Sequence, residues 1–346
     1  MTGKEPITVG VIGLGRAGYN IHIKRMRDDD RFAVAGVTDW MPERGAEVAA
    51  ELGCPSYGSY REMLRRCDCE AVVVASASST HPAVTRDAFA AGKHVICEKP
   101  MAAGTRSAES MIRAGEKAGK LLFMHHNRRF SAEFLHLMDI VQNGPIGRVF
   151  EIRMRYLAFR RRDDWQTMRK FDGGQLNNTG SHYLDLGLQL LGSPVKQIYC
   201  NLQQIASAGD CEDHVKVLLT AENGRVWDME LSTACKFPEP KWTILGTYGT
   251  IISDGSTSQV EFFDPAQVPP MEATEVPSAR RRYDNDDVLP WQSMELSAAD
   301  APKIGDFYDN FWAVLREGAK MVVKPEETLE VVRVIEACRR ISGFYR

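Results

Sequence analysis

Ile7-Thr8-Val9-Gly10-Val11-Ile12-Gly13-Leu14-Gly15-Arg16-Ala17-Gly18 runs from an apolar hexapeptide straight into a glycine-rich turn. The hexapeptide has the length and apolar character of a short buried strand, and the residues after Gly18 carry a helical pattern. A second apolar run, Phe32 to Val37, leads to Asp39, which stands 21 positions after Gly18. Strand, glycine turn, helix, strand and acid in that order form a dinucleotide-binding fingerprint, and each part has a physical reason. Gly13 permits the tight turn, Gly15 lets a pyrophosphate approach the backbone, and Gly18 lets the helix lie close to the strand. Leu14, Arg16 and Ala17 fill the loop between them, and the helix N-terminus offers free N–H groups and a positive dipole end to phosphate. Asp39 can accept hydrogen bonds from a ribose 2′-OH, and its charge repels a 2′-phosphate, so NAD is expected as cofactor over NADP. Arg44, five positions on, is the one nearby residue that would favour the phosphorylated form.

With 346 residues the chain exceeds what one hydrophobic core usually holds, so two domains are expected. A hydrophobic content of 44% and a charged content of 26% are those of an ordinary globular protein. The formal net charge of −3 argues against nucleic acid or an anionic membrane as partner, since both select a basic surface. No stretch reaches the roughly 18 apolar residues of a membrane span. The first strand follows Met1 too closely for a signal peptide, so the expected location is the cytoplasm. The eight cysteines, at 54, 67, 69, 97, 200, 211, 235 and 338, include one close pair, Cys67 and Cys69, with no second pair or nearby histidines. They are expected to be reduced thiols, and no structural metal is expected.

Beyond Asp39 the chain alternates. Helical patterns at Pro42 to Leu52 and Tyr60 to Cys67 precede the wholly apolar Ala71-Val72-Val73-Val74-Ala75, the habit of a strand buried on both faces. Ser76-Ala77-Ser78-Ser79-Thr80 follows that strand and a helix opens near His81-Pro82. Strand C-termini are where open α/β sheets bind ligands, which marks Ser76, Ser78 and His81 as cofactor contacts; hydroxyl caps on the helix would use the same residues. His94 to Cys97 is a fourth strand, ending in Glu98-Lys99-Pro100. Thr105 to Ala118 is helical, and Leu121 to Met124 is a fifth strand. Strands alternating with helices predict a doubly wound parallel sheet of the Rossmann type over residues 1–125.

From Ser131 the pattern changes. A helix from Ala132 to Gln142 is followed by Val149 to Phe159, where Phe150, Ile152, Met154 and Tyr156 alternate with Glu151, Arg153 and Arg155. Period-two alternation marks a strand with one wet face. Further runs at 197–205, 214–221, 226–232, 242–245 and 259–263 predict an open, mainly antiparallel sheet domain over residues 126–303. Pro265 to Lys303, containing Arg280-Arg281-Arg282, carries no pattern and reads as a surface excursion or subunit-spanning arm. Helices at 306–317 and 326–341 are expected to pack back on the first domain, as a C-terminal unit of residues 304–346.

Several segments together resemble the Gfo/Idh/MocA family, the relatives of glucose-fructose oxidoreductase and inositol dehydrogenase. They are the N-terminal fingerprint, Ala91-Gly92-Lys93-His94-Val95 leading to Glu98-Lys99-Pro100, Asn127-Arg128-Arg129-Phe130, and Gly173-Gly174-Gln175-Leu176-Asn177-Asn178-Thr179-Gly180-Ser181-His182-Tyr183-Leu184-Asp185. The resemblance implies an NAD-dependent oxidoreductase moving hydride between nicotinamide and a secondary alcohol of a sugar, polyol or sugar derivative. It implies Lys99 and His182 as the proton-handling pair, with Glu98 and Asn127 beside the cofactor and Arg128 beside the substrate. It also implies a homodimer or homotetramer formed through the second sheet. Two alternatives share the fold: an NAD-dependent glycosidase that oxidises its sugar transiently, and a non-catalytic sensor of nucleotide or sugar.

Local chemistry supports parts of this and leaves others open. A Lys at a strand end, buried and next to a nicotinamide cation, has its pKa drawn toward neutrality; unaided, Lys99 would read as a solvated partner of Glu98. Asn178, His182, Asp185 and Gln189 form one polar stripe on a leucine-rich helix, and Gly180 within it suggests something pressed against the backbone. Many family members carry Asp where this chain has Asn178. An amide can hold the His182 ring but supplies no charge, which moves the weight of base catalysis to Lys99. Asp185 fits a structural role and a substrate-hydroxyl acceptor equally. Trp165 could stack on a sugar face, and Arg160-Arg161-Arg162 reads as an acidic-sugar site or as a solvated turn.

Overall fold

The computed structural model describes residues 5–273, 275–277 and 288–345. Its first half alternates β1 (Ile7–Ile12), wide-wound turns Gly18–Ile23 continuing as α1 (Lys24–Arg27), β2 (Phe32–Thr38), α2 (Pro42–Leu52) and α3 (Tyr60–Arg66). It goes on with β3 (Ala71–Val74), α4 (His81–Ala90), β4 (His94–Cys97), α5 (Thr105–Ala118) and β5 (Leu122–Met124). The five strands are parallel in the order β2-β1-β3-β4-β5. Ala71, Val72, Val73 and Val74 of β3 are all 0% exposed, the burial that helices on both faces impose on a continuous apolar run. The connection direction reverses between β1 and β3, so the C-terminal ends of those strands open the crevice in which such sheets bind ligands.

The turn after β1 has the backbone that the fingerprint demands. Gly13 sits at φ +90°, where a Cβ would meet the Ala75 carbonyl and the Ser76 nitrogen at 2.6 Å. A Cβ on Gly18 would stand 1.8 Å from the Gly13 oxygen, so the helix is closed down on the turn. Gly15, by contrast, has nothing within 4 Å of its Cβ position; that open side faces the crevice.

The second half holds α6 (Ala132–Asn143), β6 (Val149–Leu157), α7 (Ser181–Leu191, preceded by wide-wound Leu176–Gly180), β7 (Val195–Gln203) and β8 (His214–Ala221). They are followed by β9 (Val226–Ser232), β10 (Trp242–Gly246), β11 (Gly249–Ser253), β12 (Thr257–Phe262) and β13 (Gln292–Ser297). The strands form one sheet ordered β13-β12-β11-β10-β6-β9-β8-β7, antiparallel except for the β6–β9 pair. Helices cover one face, over a core that includes Tyr183, Trp227 and Trp242 at 0% exposure. The chain ends in α8 (Phe307–Glu317), which buries Phe307, Tyr308, Phe311 and Trp312 against the first sheet, and α9 (Pro325–Ser342). No helix among the described residues is long and apolar enough to cross a membrane.

Three expectations change. Strand β11, Gly249-Thr250-Ile251-Ile252-Ser253, was not anticipated: it opens on glycine and buries one large apolar side chain, Ile251, so its pattern is weak. The patternless Pro265 to Lys303 contains β13, an edge strand paired to β12 alone and mostly exposed, which therefore needs no apolar alternation. Arg280-Arg281-Arg282 lies outside the described residues. Helix α9, expected on the first domain, serves both: Leu329 and Val332 face the first sheet's core, and Val331, Val334, Ile335 and Cys338 face the second's.

Candidate active site

Between the two sheets lies a cleft of about 1300 Å³, more than the roughly 300–1000 Å³ of a site for one small ligand. Gly13, Gly15, Arg16 and Ala17 line it from the end of β1, and Asp39 lines it from the end of β2. Ser76, Ser78 and His81 follow β3, Glu98 and Lys99 end β4, and Asn127 follows β5. Two expected cofactor residues stay off its wall. Leu14 buries its side chain in the core, at 4% exposed, and Gly18 packs on Gly13. Leu14 still contributes: its N–H donates to Asp39 Oδ2 at 2.6 Å, while Met41 N–H donates to Oδ1 at 2.9 Å. The Asp39 carboxylate is thereby fixed at the crevice edge, with Arg44 Nη1 3.9 Å away. His81 ties the β3 loop to the β4 loop, its ring nitrogens 2.8 Å from Pro100 O and 3.1 Å from Ser76 O. Glycine backbone open at Gly15, a helix N-terminus and a fixed acid fit a dinucleotide.

Lys99 and His182 come together at the inner end of the cleft. Lys99 Nζ donates to Asn178 O at 2.7 Å and to Asn178 Oδ1 at 3.1 Å. Burial draws the ammonium pKa down to about 8; the Glu98 charge opposes that, and Arg16, Arg128 and Arg162 reinforce it. His182 is held well below the ordinary imidazole value by burial, then by Lys99, Arg128 and His126, so it is a neutral ring at pH 7. Its Nδ1 is buried without a hydrogen-bond partner. A neutral imidazole beside a lysine that titrates near neutrality can exchange a hydrogen bond with a hydroxyl while the lysine takes its proton. Asn127, Arg128 and Trp165 also line this end, Arg128 Nη1 donating to Tyr183 OH at 3.1 Å with its guanidinium over the Tyr183 ring.

Of the two readings held for Asp185, the geometry favours the structural one: it is 1% exposed, takes a bidentate pair of bonds from Arg129 at 2.6 and 2.8 Å, and is absent from the cleft lining. The polar stripe divides within regular α7: Asn178 and His182 line the cleft, and Asp185, three residues after His182, is turned onto Arg129. Gly180 is likewise not pressed by a ligand; its nearest neighbours are Leu176 and Leu231 side chains of the core.

Several residues escaped the sequence reading. Gln166 lies on the loop after β6, accepts from Arg16 Nη2 at 3.4 Å and from Arg162, and donates to Asn178 Oδ1 at 3.3 Å. It stitches the fingerprint loop to the helix bearing His182. No local motif announces such a contact, which joins positions 150 residues apart. Trp40, 87% exposed, flanks the cleft beside Asp39. Behind Lys99, Glu98 Oε1 lies 2.7 Å from His125 Nδ1 and 3.0 Å from His22 Nε2, and His22 Nδ1 lies 2.6 Å from Tyr308 OH. Burial raises the Glu98 carboxyl, yet the two imidazoles outweigh it and hold the group ionised, well below the usual range. Among the described residues this is the one trio of metal-ligating types close together; its spacings are those of hydrogen bonds to one shared oxygen.

A family model described as an oxidoreductase family with an NAD-binding Rossmann fold matches residues 7–126, and one for the GFO/IDH/MocA C-terminal domain matches residues 134–252. Myo-inositol 2-dehydrogenase of Thermotoga maritima is 28% identical over 256 residues, 71% of this chain and 75% of its own length. The scyllo-inositol 2-dehydrogenase (NADP(+)) of Bacillus subtilis is 25% identical over 354 residues, 98% of this chain and 94% of its own. A crystal structure of an NAD-binding protein from Listeria innocua has a TM-score of 0.83 at 27% identity, covering 99% of this chain and 96% of that one. Matched in both halves by the paired models of one family, the chain belongs to the Gfo/Idh/MocA oxidoreductases.

Proposed function

We propose that this protein transfers hydride between NAD and a secondary alcohol carbon of a sugar, polyol or sugar derivative, with Lys99 as the base that takes the hydroxyl proton. The observation that carries the reading is Lys99 itself: half-buried at the end of β4, bonded to Asn178, beside His182, and drawn down to about 8. A bound nicotinamide would supply the hydride chemistry. Neutral His182 orients the reacting hydroxyl, and Asn178 holds the Lys99 amine in place. The inositol dehydrogenases among the relatives act on ring alcohols of this class, which supports the same reading. NAD is the expected cofactor because the Asp39 carboxylate, fixed by two backbone N–H groups, would repel a 2′-phosphate.

The substrate-side sheet also carries the proposed self-association, as a homodimer or homotetramer. Tyr199, Leu218, Leu245 and Ile252 lie on the face away from the helices, Tyr199 at 56% and Ile252 at 40% exposure.

The test follows the absorbance of reduced nicotinamide when purified protein and NAD meet a panel of sugars, inositols and sugar acids. A signal specific to one compound, lost by a factor of about 100–10,000 in Lys99→Ala, is the expected result. Full turnover by Lys99→Ala would remove the assigned role, and conversion of a sugar with no net change in NADH would point to the redox-neutral alternative.

A further inference from the structure

Asp172 stands on the cleft wall with its carboxylate unanswered. It follows the short turn Arg169–Phe171 and borders the cleft between Phe171 and Gly173. Among the described residues the carboxylate has no hydrogen-bond or ion-pair partner. Burial raises its carboxyl above the usual aspartate range, and Arg339 and His81 oppose the shift through space. The backbone, by contrast, is held on both sides: the Asp172 N–H donates to Arg169 O at 2.9 Å, and Asp172 O accepts from Asn177 Nδ2 at 2.7 Å. At φ 55° Asp172 is the one non-glycine residue in left-handed backbone among the described residues, a conformation that glycine adopts with less strain.

Asn177 sets a second acceptor beside it. Asn177 also borders the cleft, is 1% exposed, and leaves its Oδ1 buried without a hydrogen-bond partner. Acceptors left open in this way call for a ligand that brings donors. A phosphate or carboxylate would bring only further acceptors and like charge to this corner. An ammonium would meet Arg16, Lys99 and Arg128, which line the same cleft. Neutral hydroxyls remain, and the two oxygens of one carboxylate can accept from two neighbouring hydroxyls of a ring. The corner lies between β6 and α7, on the second domain, and the residue after Asn177 is Asn178, which holds Lys99 Nζ through both its oxygens. That neighbour sets the diol on the substrate's side of the cleft, next to the proposed base.

We propose that Asp172 is a specificity-determining residue that accepts hydrogen bonds from two adjacent hydroxyls of the substrate, which is then a neutral sugar or polyol with a vicinal diol besides the reacting alcohol. The proposal rests on the hydride-transfer reading for the chemistry and on Asp172 for the choice of substrate. Asp172 takes no proton and touches no reacting atom. Its removal therefore raises KM and leaves kcat at saturation in place, the mark of binding shared by ground state and transition state.

The experiment titrates myo-inositol, glucose, galactose, their monodeoxy derivatives and the two hexuronates into the NAD-loaded protein, by calorimetry and by NADH formation. One neutral parent compound is expected to bind roughly tenfold or more tightly than the hexuronates, and loss of either of two adjacent hydroxyls is expected to weaken it by about tenfold. Asp172→Gly removes the carboxylate and suits the left-handed backbone; in it the parent binds about tenfold more weakly, and the same two deoxy derivatives lose nothing further. Asp172→Asn keeps the shape without the charge and narrows the gap to the hexuronates. An unchanged affinity for the parent in Asp172→Gly, a hexuronate that binds the wild type as well as the neutral parent, or no neutral compound binding at all, overturns the proposal. So does a loss in Asp172→Gly confined to NAD affinity, which would give the carboxylate to the cofactor's ribose. Diol-dependent binding without any NADH signal would uphold the proposal and remove the hydride-transfer reading instead.

Discussion

At the scale of single residues, the proposed base Lys99 governs the expected pH behaviour. Its amine is drawn down to about 8 by burial and the neighbouring guanidinium groups, so the neutral base becomes more abundant as pH rises through that value. Alcohol oxidation is therefore expected to accelerate from pH 7 and level off above about 9, while reduction of the ketone, which needs the ammonium, declines across the same window. Initial rates of both directions against pH check this; a pH-independent oxidation rate would exclude Lys99 as the base. The proposed preference for NAD rests on Asp39. Replacing it with Ala removes the charge that faces a 2′-phosphate, and the ratio of kcat/KM for NAD over NADP is expected to fall by about 10-fold or more. An unchanged ratio would shift the discrimination to Arg44. Asp39 was legible because the fingerprint is local, whereas Lys99 was singled out by the family resemblance. The geometry that tunes them was not, because Arg128 and Arg162 reach Lys99 only through folding.

Elements carry the second set of consequences. Between the short turn Asn127–Phe130 and helix α7, Arg129 and Asp185 form a bidentate pair at 4% and 1% exposure. Removing Asp185 leaves the buried Arg129 with the half-buried Glu327 as its remaining partner, so Asp185→Ala is expected to lower stability by about 3 kcal/mol, the lower end for a broken buried pair, in denaturant unfolding. A loss below about 1 kcal/mol, the size of a surface pair, together with a raised substrate KM, would restore Asp185 to the substrate side. The most legible strands, β3 and β8, are those whose uniform burial or alternation is complete. Those that were not, β11 and β13, lie toward or at the sheet edge and are specified by pairing to neighbours more than by their own apolar pattern. The division of the polar stripe was hidden for a related reason: Asp185 is drawn to Arg129, a partner 56 residues away that helix periodicity does not record.

For the whole molecule, α9 is the joint. Its residues Leu329 and Val332 are buried against the nucleotide sheet, and Val334 and Ile335 against the second sheet. Ile335→Ala is expected to cost about 2–5 kcal/mol, and because both cores share the helix, calorimetry should show one unfolding transition moving to lower temperature. Two separate transitions in the wild-type protein would show that the sheets are independent. The dinucleotide crevice and the parallel sheet were determined by sequence alone, because each rests on short-range rules: glycine sterics at a turn and apolar runs in buried strands; the lysine–histidine pair was singled out by the family resemblance, since unaided Lys99 reads as a solvated partner of Glu98. The convergence of Gln166, Arg16 and Asn178 on Lys99, the inward turn of Asp185 and the double burial of α9 were decided only by the tertiary structure. These contacts join segments up to 150 residues apart, and a single chain's periodicity records which face of an element is buried, not which distant element covers it.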